Sequence, residues 1–435
     1  MTLAVHEWAV LDAAARNALL TRPAAAIGPK IASEVATIVA QVRSRGDAAV
    51  REYTARFDGT DLVTSLVDEA EFAWAEASLT TADIAAIERA IETVHTFHAA
   101  QLPQPQRIET APGVVCERLS VPIDAVGLYV PAGSAPLPST AIMTAVPATL
   151  ARCPIRALVT PPRRDGRADP AVLVAARRAG ATSVHKIGGA QAIAALAYGT
   201  ESVPKVDKIF GPGNVWVTAA KQRVAADPDG AALDLPAGPS EVLVIADDSA
   251  RPDFVAADLL AQAEHDPSAQ VLLVTPSRAL ADAVLAELDR QLSRLPRREI
   301  ASAALAASRI ILTDSLDTAC EVSNAYAPEH LIIEVDEARA LLPQLRAAGS
   351  IFLGHWSPES VGDYCSGTNH VLPTYGYARA YSGLSIDSYL RRITVQELSP
   401  RGLQELGAVT MRLAALEGLD AHAQAVAVRL KAMTV

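Results

Sequence analysis

Gln262 and His265 stand three residues apart in the segment from Pro252 to Pro267, which has proline at its first helical position and again past its end. On a helix that spacing places both side chains on one face, near the C-terminal end where a sheet's crevice is expected. An amide oxygen and an imidazole nitrogen are both zinc-ligand types, but two ligands do not make a site. Taken alone, the pair fits a hydrogen-bonded surface face better. Ala327-Pro-Glu329-His330 leads into the apolar run Leu331-Ile-Ile333. At a strand entrance after proline, a carboxylate and an imidazole can both line a crevice and offer two bases of different strength for water activation and repeated proton transfer; a structural role is the competing reading. The turn-rich stretch from Gly354 to His370 holds His355, Glu359, Asp363 and His370, and loops at strand ends are where sites are grafted. Near the end, Glu417 closes one helical pattern, Gly418 suits the left-handed closing turn and Asp420 suits the next cap. His422 then falls in a first helical turn, whose positive end disfavours imidazolium and leaves a nitrogen lone pair for a metal; an exposed polar turn explains the same residues.

Positioning such scattered groups takes a large scaffold. A chain of 435 residues exceeds one hydrophobic core and suggests about three domains of roughly 150 residues. Half of the residues are apolar and 20% are charged, a composition that buries a core and argues against disorder. The net charge of -11 disfavours nucleic acid or an anionic membrane as partner. No run of about 18 uncharged apolar residues is present, so no membrane span is expected. Met1 to Glu7 lacks the basic start and apolar core of a secretion signal, and Asp12 and Arg16 follow, which predicts a cytoplasmic location. Cys116, Cys153, Cys320 and Cys365 are scattered without CxxC pairing, as suits a reducing compartment and small buried hydrophobes.

From Val126 onward, short β-branched runs alternate with Ala-rich helical stretches: strands at 126–130, 156–160, 183–187 and 206–210, with helices from Ser139, near Pro170, after Gly189 and after Asn214. After Pro239 the pattern restarts with strands at 241–245, 270–274, 330–335 and 350–353 and a helix from Pro252. Such alternation implies right-handed crossovers and parallel sheets. The expected fold is α/β, two Rossmann-like parallel-sheet units in series with small helical N- and C-terminal extensions. Residues 1–22 form a helical arm, 23–125 with 240–384 a first α/β domain carrying most of the site, 126–239 a second, and 385–435 a helical tail. The amphipathic stretches 403–416 and 421–433 have too little core to stand alone, which suggests packing on a partner subunit.

The strings Gly188-Gly-Ala-Gln-Ala-Ile-Ala-Ala-Leu-Ala-Tyr-Gly199, Val203-Pro-Lys-Val-Asp-Lys-Ile-Phe-Gly-Pro-Gly-Asn214, Pro236-Ala-Gly-Pro-Ser-Glu-Val242, Pro328-Glu-His-Leu331 and Gly367-Thr-Asn-His-Val-Leu-Pro-Thr374 resemble histidinol dehydrogenases, and the likeness extends over nearly the whole chain. The resemblance implies oxidation of L-histidinol through L-histidinaldehyde to L-histidine with two NAD molecules and one zinc ion per subunit; packing of the tail on a partner subunit would add a homodimer with shared active sites, each joining Glu417 and His422 of one chain to Gln262, His265 and Asp363 of the other. The resemblance implies zinc ligands at Gln262, His265, Asp363 and His422, with Ser240, Glu359, His370 and Glu417 joining His330 and the ligands in substrate binding. Glu329 and His330 match the general bases, and Tyr129, Gln191 and Asn214 the NAD contacts. The chain departs from the usual pattern at Ala132 in Pro131-Ala-Gly133, beside Tyr129, at His355, where Asp is frequent, and at Asp266, where Gly is frequent. Gly211-Pro-Gly-Asn214 before a helix is a weaker phosphate cue than GxGxxG. Two rival readings remain: a zinc hydrolase with Glu329 as base, which needs no NAD, and a catalytically dead relative acting as a binding protein.

Overall fold

The structure, a computed structural model, describes residues 3–22, 28–132, 135–236 and 238–433. Gly133 and Ala237 of the quoted motifs, and the expected boundary between residues 22 and 23, fall at or outside the limits of that description.

The chain opens with strand β1 (Ala4–Glu7), a 3-10 turn (Trp8–Val10) and helix α1 (Ala13–Leu19). Helices α2 (Pro29–Arg45), α3 (Asp47–Asp58), α4 (Glu69–Ser78) and α5 (Thr81–Ala99) precede strands β2 (Gln106–Ala111) and β3 (Val114–Pro122). The first alternating series is β4 (Ala125–Tyr129), α6 (Pro138–Leu150), β5 (Ile155–Thr160), α7 (Pro170–Ala179), β6 (Ser183–Lys186), α8 (Gly189–Tyr198), β7 (Lys208–Phe210), α9 (Val215–Ala225) and β8 (Ala232–Leu233). The second is β9 (Glu241–Ala246), α10 (Pro252–Ala263), β10 (Gln270–Thr275), α11 (Arg278–Leu292), α12 (Arg298–Ala306), β11 (Arg309–Leu312), α13 (Leu316–Tyr326), β12 (His330–Glu334), β13 (Ser350–Leu353) and α14 (Glu359–Tyr364). Strand β14 (Leu390–Leu398) and helices α15 (Pro400–Leu416) and α16 (Asp420–Ala432) complete it.

Two parallel sheets result, as the alternation predicts. One runs β1-β11-β10-β9-β12-β13 and the other β6-β5-β4-β7-β8. Strands β4, β9, β10 and β12 are buried along their whole length, because helices cover both faces and leave no room for polar alternation. In each sheet the chain builds outward on one side and then returns to the other. The order therefore reverses between β9 and β12 and between β4 and β7, where open α/β sheets form their crevices.

The architecture differs from expectation in three respects. The N-terminal arm is not wholly helical, since Ala4–Glu7 pairs in parallel with β11 at a sheet edge; four residues are too few to show a period. The C-terminal tail contains strand β14, antiparallel to β3 in a three-stranded sheet with β2. Both of its faces are largely exposed, so charged residues interrupt the apolar alternation that would reveal it. The helices of residues 29–99 pack on the five-stranded sheet, not on the six-stranded one with which residues 23–125 were grouped. Val35, Val42 and Val50 share a core with Tyr129 and Leu196, and Ala75 and Val94 share one with Leu128, Val146 and Leu173. Among the described residues, no helix is long and apolar enough to cross a membrane.

Candidate active site

Helix α10 starts with proline at its first position and buries Gln262 near its last turn. His265 follows immediately, exposed in the single chain, its backbone N–H donating to the Gln262 carbonyl. A helix that crosses from β9 back to β10 ends at the sheet's amino edge. The pair therefore lies at that edge, and the expected crevice at the carboxyl ends is corrected to the opposite side. Glu329 and His330 reach the same edge because β12 begins at His330.

The bend before β12 is locally strained. Ala327 adopts φ 55, a left-handed conformation unusual for a residue with a Cβ, and Pro328 follows. Arg22 stabilises the bend by donating to the carbonyls of Tyr326 (2.9 Å) and Ala327 (3.2 Å) while pairing with the buried Glu241 carboxylate. Glu241 also accepts from the Tyr326 hydroxyl at 2.8 Å. Its backbone N–H donates to Glu329 Oε2 at 3.0 Å, and Ser240 is the preceding residue.

Around His330 the side chains converge. Its Nδ1 lies 3.6 Å from Glu359 Oε1 and 3.7 Å from Glu329 Oε2, and its Nε2 lies 3.5 Å from Asp363 Oδ1. Glu359 and Asp363 share helix α14, one turn apart and hence on one face. His370 Nδ1 lies 2.9 Å from the Asp363 carbonyl, and its Nε2 lies 3.3 Å from Thr140 Oγ1 in the first turn of α6. Asn369 donates to the Met143 carbonyl of that helix at 2.7 Å. This loop joins the amino edge of the six-stranded sheet to the carboxyl edge of the five-stranded one.

The electrostatics follow from burying four charges together. Burial pushes Glu329 up to about 8, only partly opposed by His330. Burial pulls His330 down, but Glu359, Glu329 and Asp363 outweigh it and raise it above the ordinary imidazole range. Burial likewise raises Glu359, while facing His330 keeps Asp363 below the usual carboxylate range despite its burial. Desolvation lowers both His265 and His370, which favours neutral imidazoles.

The donor set fits a cation. His330, Glu359 and Asp363 each bring a ligand-type atom within 4.8 Å of the others. Gln262 Oε1, His330 Nε2 and Glu359 Oε2 are buried without a hydrogen-bond partner, which costs free energy unless something else satisfies them.

Glu417 and His422 are not brought to this cluster within the chain. Glu417 ends α15, Gly418 takes φ 70 as expected, and His422 sits exposed in the first turn of α16. The expected Asp420 cap is corrected: Leu419 holds the cap position and accepts from the His422 backbone N–H, so Asp420 is already helical.

Tyr129, Gln191 and Asn214 gather at the carboxyl edge of the five-stranded sheet, beside its β4–β7 reversal. The Tyr129 hydroxyl accepts from the Gly189 N–H at 3.2 Å, and Gln191 Oε1 is buried without a partner. Asn214 Oδ1 accepts from the N–H groups of Trp216 and Val217, capping α9. Gly211, at φ 114, lies so close to Tyr129 that a Cβ would sit 2.1 Å from its carbonyl oxygen. The buried Lys221–Asp234 pair grips this turn from both sides, Lys221 donating to the Gly211 carbonyl at 2.9 Å and Asp234 accepting its N–H at 2.8 Å.

Residues 21–430 match the family described as histidinol dehydrogenase. The chain belongs to the histidinol dehydrogenase family. It is 57% identical over 426 residues to a histidinol dehydrogenase of Xanthomonas euvesicatoria pv. vesicatoria, covering 98% of this chain and 99% of the relative. It is 52% identical over 427 residues to one of Vibrio parahaemolyticus, covering 98% of each. The crystal structure of histidinol dehydrogenase from Elizabethkingia anophelis superposes with a TM-score of 0.96 at 44% identity, covering 100% of this chain and 99% of that one. As a member of the histidinol dehydrogenase family the chain is an NAD-dependent oxidoreductase of histidine biosynthesis, and the family's activity is the zinc-dependent, two-step NAD oxidation of L-histidinol to L-histidine.

Sequence reasoning missed Arg22, Glu241 and Tyr326, which hold the β12 entrance in place. Glu241 at the head of a wholly apolar run was the available signal, since a buried carboxylate requires a cation.

Proposed function

We propose that this chain oxidises L-histidinol at the amino edge of the six-stranded sheet, with Gln262, His265 and Asp363 holding zinc together with His422 of a second copy. The supporting observations are the orphaned, buried Gln262 Oε1 at the same sheet edge as the His330–Glu359–Asp363 cluster, and His265, which feels the charges of Asp363 and His330. Zinc supplies a positive charge that orients the substrate's imidazole and amino nitrogens, and NAD takes the hydrides.

The chain's own residues move the protons. His330 Nε2 takes the hydroxyl proton as the alcohol is oxidised. Glu329, held near neutrality by burial, takes a proton from the water that hydrates the aldehyde. His330, once it has given up the first proton to water, takes the hydrate's hydroxyl proton. Ser240, Glu359, His370 and the second copy's Glu417 position the substrate, and Tyr129, Gln191 and Asn214 receive NAD. The hydrogen bond between His370 and Thr140 supports a short path between the two edges.

A homodimer with shared sites is supported by the exposed Val409, Leu413, Leu416, Leu419 and Val428 on and between α15 and α16, which no part of this chain covers among the described residues. Four free cysteines support a reducing, cytoplasmic setting. The test is spectrophotometric NAD reduction with L-histidinol before and after chelation and zinc return. Two NADH per histidine, lost on chelation and restored by zinc, is the expected outcome; no NADH rejects the reading.

A further inference from the structure

Pro147 stands inside helix α6. Proline has no N–H, and its ring pushes on the carbonyl one turn back, so the carbonyl of Met143 loses its helical partner. Met143 is fully buried in the core of the five-stranded sheet, where water cannot take that partner's place. The replacement comes from the loop after α14. Asn369 Nδ2 donates to the Met143 carbonyl at 2.7 Å, and Asn369 Oδ1 accepts the backbone N–H of Val371 at 3.0 Å. A carbonyl only accepts and an N–H only donates, so these two contacts fix which end of the buried amide faces which.

The same stretch of chain carries two groups of the proposed site. Asp363 stands in α14, and His370 directly follows Asn369. His370 Nδ1 donates to the Asp363 carbonyl at 2.9 Å, and its Nε2 lies 3.3 Å from Thr140 Oγ1 in the first turn of α6. Two further contacts pin the loop to the same domain. A Cβ on Gly367, at φ 110, would sit 2.9 Å from the Thr93 carbonyl of α5, and Val371 is buried in one core with Met143 and Leu128. Helix α6 is the element that follows β4, the strand ending in Tyr129. The loop thus spans from the cluster at one sheet's amino edge to the helix that leaves the strand of Tyr129.

We propose that Asn369 is a positioning residue of the oxidation: it docks the loop of Asp363 and His370 on the α6 carbonyl that Pro147 frees, and so sets the substrate's distance from NAD. The inference rests on the proposed roles of Asp363 in holding zinc and of His370 in positioning L-histidinol. A hydride crosses from the alcohol carbon to the nicotinamide only at near-contact distance, and a misplacement of about 1 Å costs on the order of 10²-fold in rate. The His330 cluster stands on one sheet, and Tyr129, Gln191 and Asn214 on the other, so that distance depends on the connections between the sheets. Asn369 and His370 supply side-chain hydrogen bonds across that gap. An ordinary helical carbonyl is already paired with the N–H four residues on, whereas the Met143 carbonyl takes Asn369 in that partner's place. The competing reading is that Asn369 satisfies a buried carbonyl and does nothing more. The two readings separate because Pro147→Ala returns a helical N–H to Met143 without Asn369.

The test compares the zinc-loaded full chain with Asn369→Leu, Pro147→Ala and the double variant, measuring Tm and steady-state NADH formation with L-histidinol and NAD varied in turn. Asn369→Leu nearly keeps the volume and removes the donor. Expected is a lower Tm and a fall in kcat of about tenfold or more, with KM for NAD within about twofold of wild type. Pro147→Ala alone should resemble wild type, because the Met143 carbonyl has a lone pair for each donor. In the double variant the helix satisfies Met143, so Tm returns toward that of Pro147→Ala while kcat stays low. Recovery of kcat together with Tm makes Asn369 a structural residue only and overturns the inference, as does Asn369→Leu with wild-type kcat. A double variant that stays as unstable as Asn369→Leu shows that Pro147 does not free the anchor, and overturns it too. If Asn369→Leu does not accumulate folded, the double variant decides alone against Pro147→Ala. Wild-type enzyme that makes no NADH overturns the proposed function along with the inference, whereas an active wild type with unaffected variants overturns the inference only.

Discussion

Glu329 Oε2 accepts the backbone N–H of Glu241 at 3.0 Å, tying the entrance of β12 to the start of β9 where the strand order reverses. The same carboxylate is thus a structural tie and a proposed base. Glu329→Gln separates the two roles, since the amide oxygen still accepts the N–H but the group no longer takes a proton. Expected is a loss in kcat of about 10²-fold or more with KM for L-histidinol little changed and Tm near wild type. Steady-state NADH formation and thermal unfolding check it; an unchanged kcat would remove Glu329 from the chemistry.

Legibility in the sequence followed burial. Strands covered on both faces, such as β4 and β9, print as unbroken apolar runs and were found to within a residue or two. Strand β1 is too short to show a period and β14 too exposed, and neither was found. Gln262 and His265 read only weakly by themselves, because the groups that make them a site come from α14, more than ninety residues later. That convergence is a property of topology and not of spacing. The carboxyl-edge expectation failed for a related reason: a residue at the end of a crossover helix reaches the amino edge of the sheet.

Gly211 is the residue through which β7 meets Tyr129. At φ 114, with a Cβ 2.1 Å from the Tyr129 carbonyl oxygen, Gly211→Ala requires both backbone strain and movement of the turn. Expected is a KM for NAD raised about tenfold, KM for L-histidinol nearly unchanged, and stability reduced by about 1 to 3 kcal/mol. Initial-rate kinetics with each substrate varied in turn would show the split. An equal rise in both constants would detach this turn from NAD.

Arg22 is the single cation paired with Glu241 among the described residues, and its guanidinium lies 3.8 Å from the centre of the Tyr326 ring. Arg22→Met leaves a buried carboxylate unpaired and two carbonyls near a strained residue without their donor. The expected loss is about 3 to 5 kcal/mol, read as a lower denaturant midpoint. Adding Glu241→Gln to that variant removes the uncompensated charge and should recover part of the loss. No recovery would mean that the carbonyl contacts, not the ion pair, carry the stability.

Burial lowers His185 from 6.5 to about 4, with Asp47 opposing the shift weakly. Its ring nitrogens lie 3.4 Å from Ser65 Oγ and 3.2 Å from Ser183 Oγ. The unfolded chain therefore binds more protons between these two values. The stabilisation is fully present above about pH 6.5 and is lost as pH falls toward 4, by about 3 kcal/mol from this group. Comparing wild type with His185→Asn in denaturant at pH 7.5 and pH 5, as rough bounds of that window, should show the shallower pH dependence in the variant. Parallel curves would assign the acid sensitivity elsewhere.

His265 lies at the amino edge of the six-stranded sheet, and His422 lies in an exposed turn of the α15–α16 hairpin that reaches no other proposed ligand within the chain. If the second copy supplies His422, each site joins His265 of one subunit to His422 of the other. His265→Ala and His422→Ala alone should then be nearly inactive and bind zinc poorly. In a mixed dimer one site carries both substitutions and the other carries neither. Random pairing after co-refolding should therefore restore about a quarter of wild-type activity, with zinc retained in the same proportion. Differently tagged subunits, purified as mixed dimers, raise the expected recovery to about half. Mixed dimers that stay inactive and zinc-poor would place both ligands in one chain and require the tail to fold back over its own sheet.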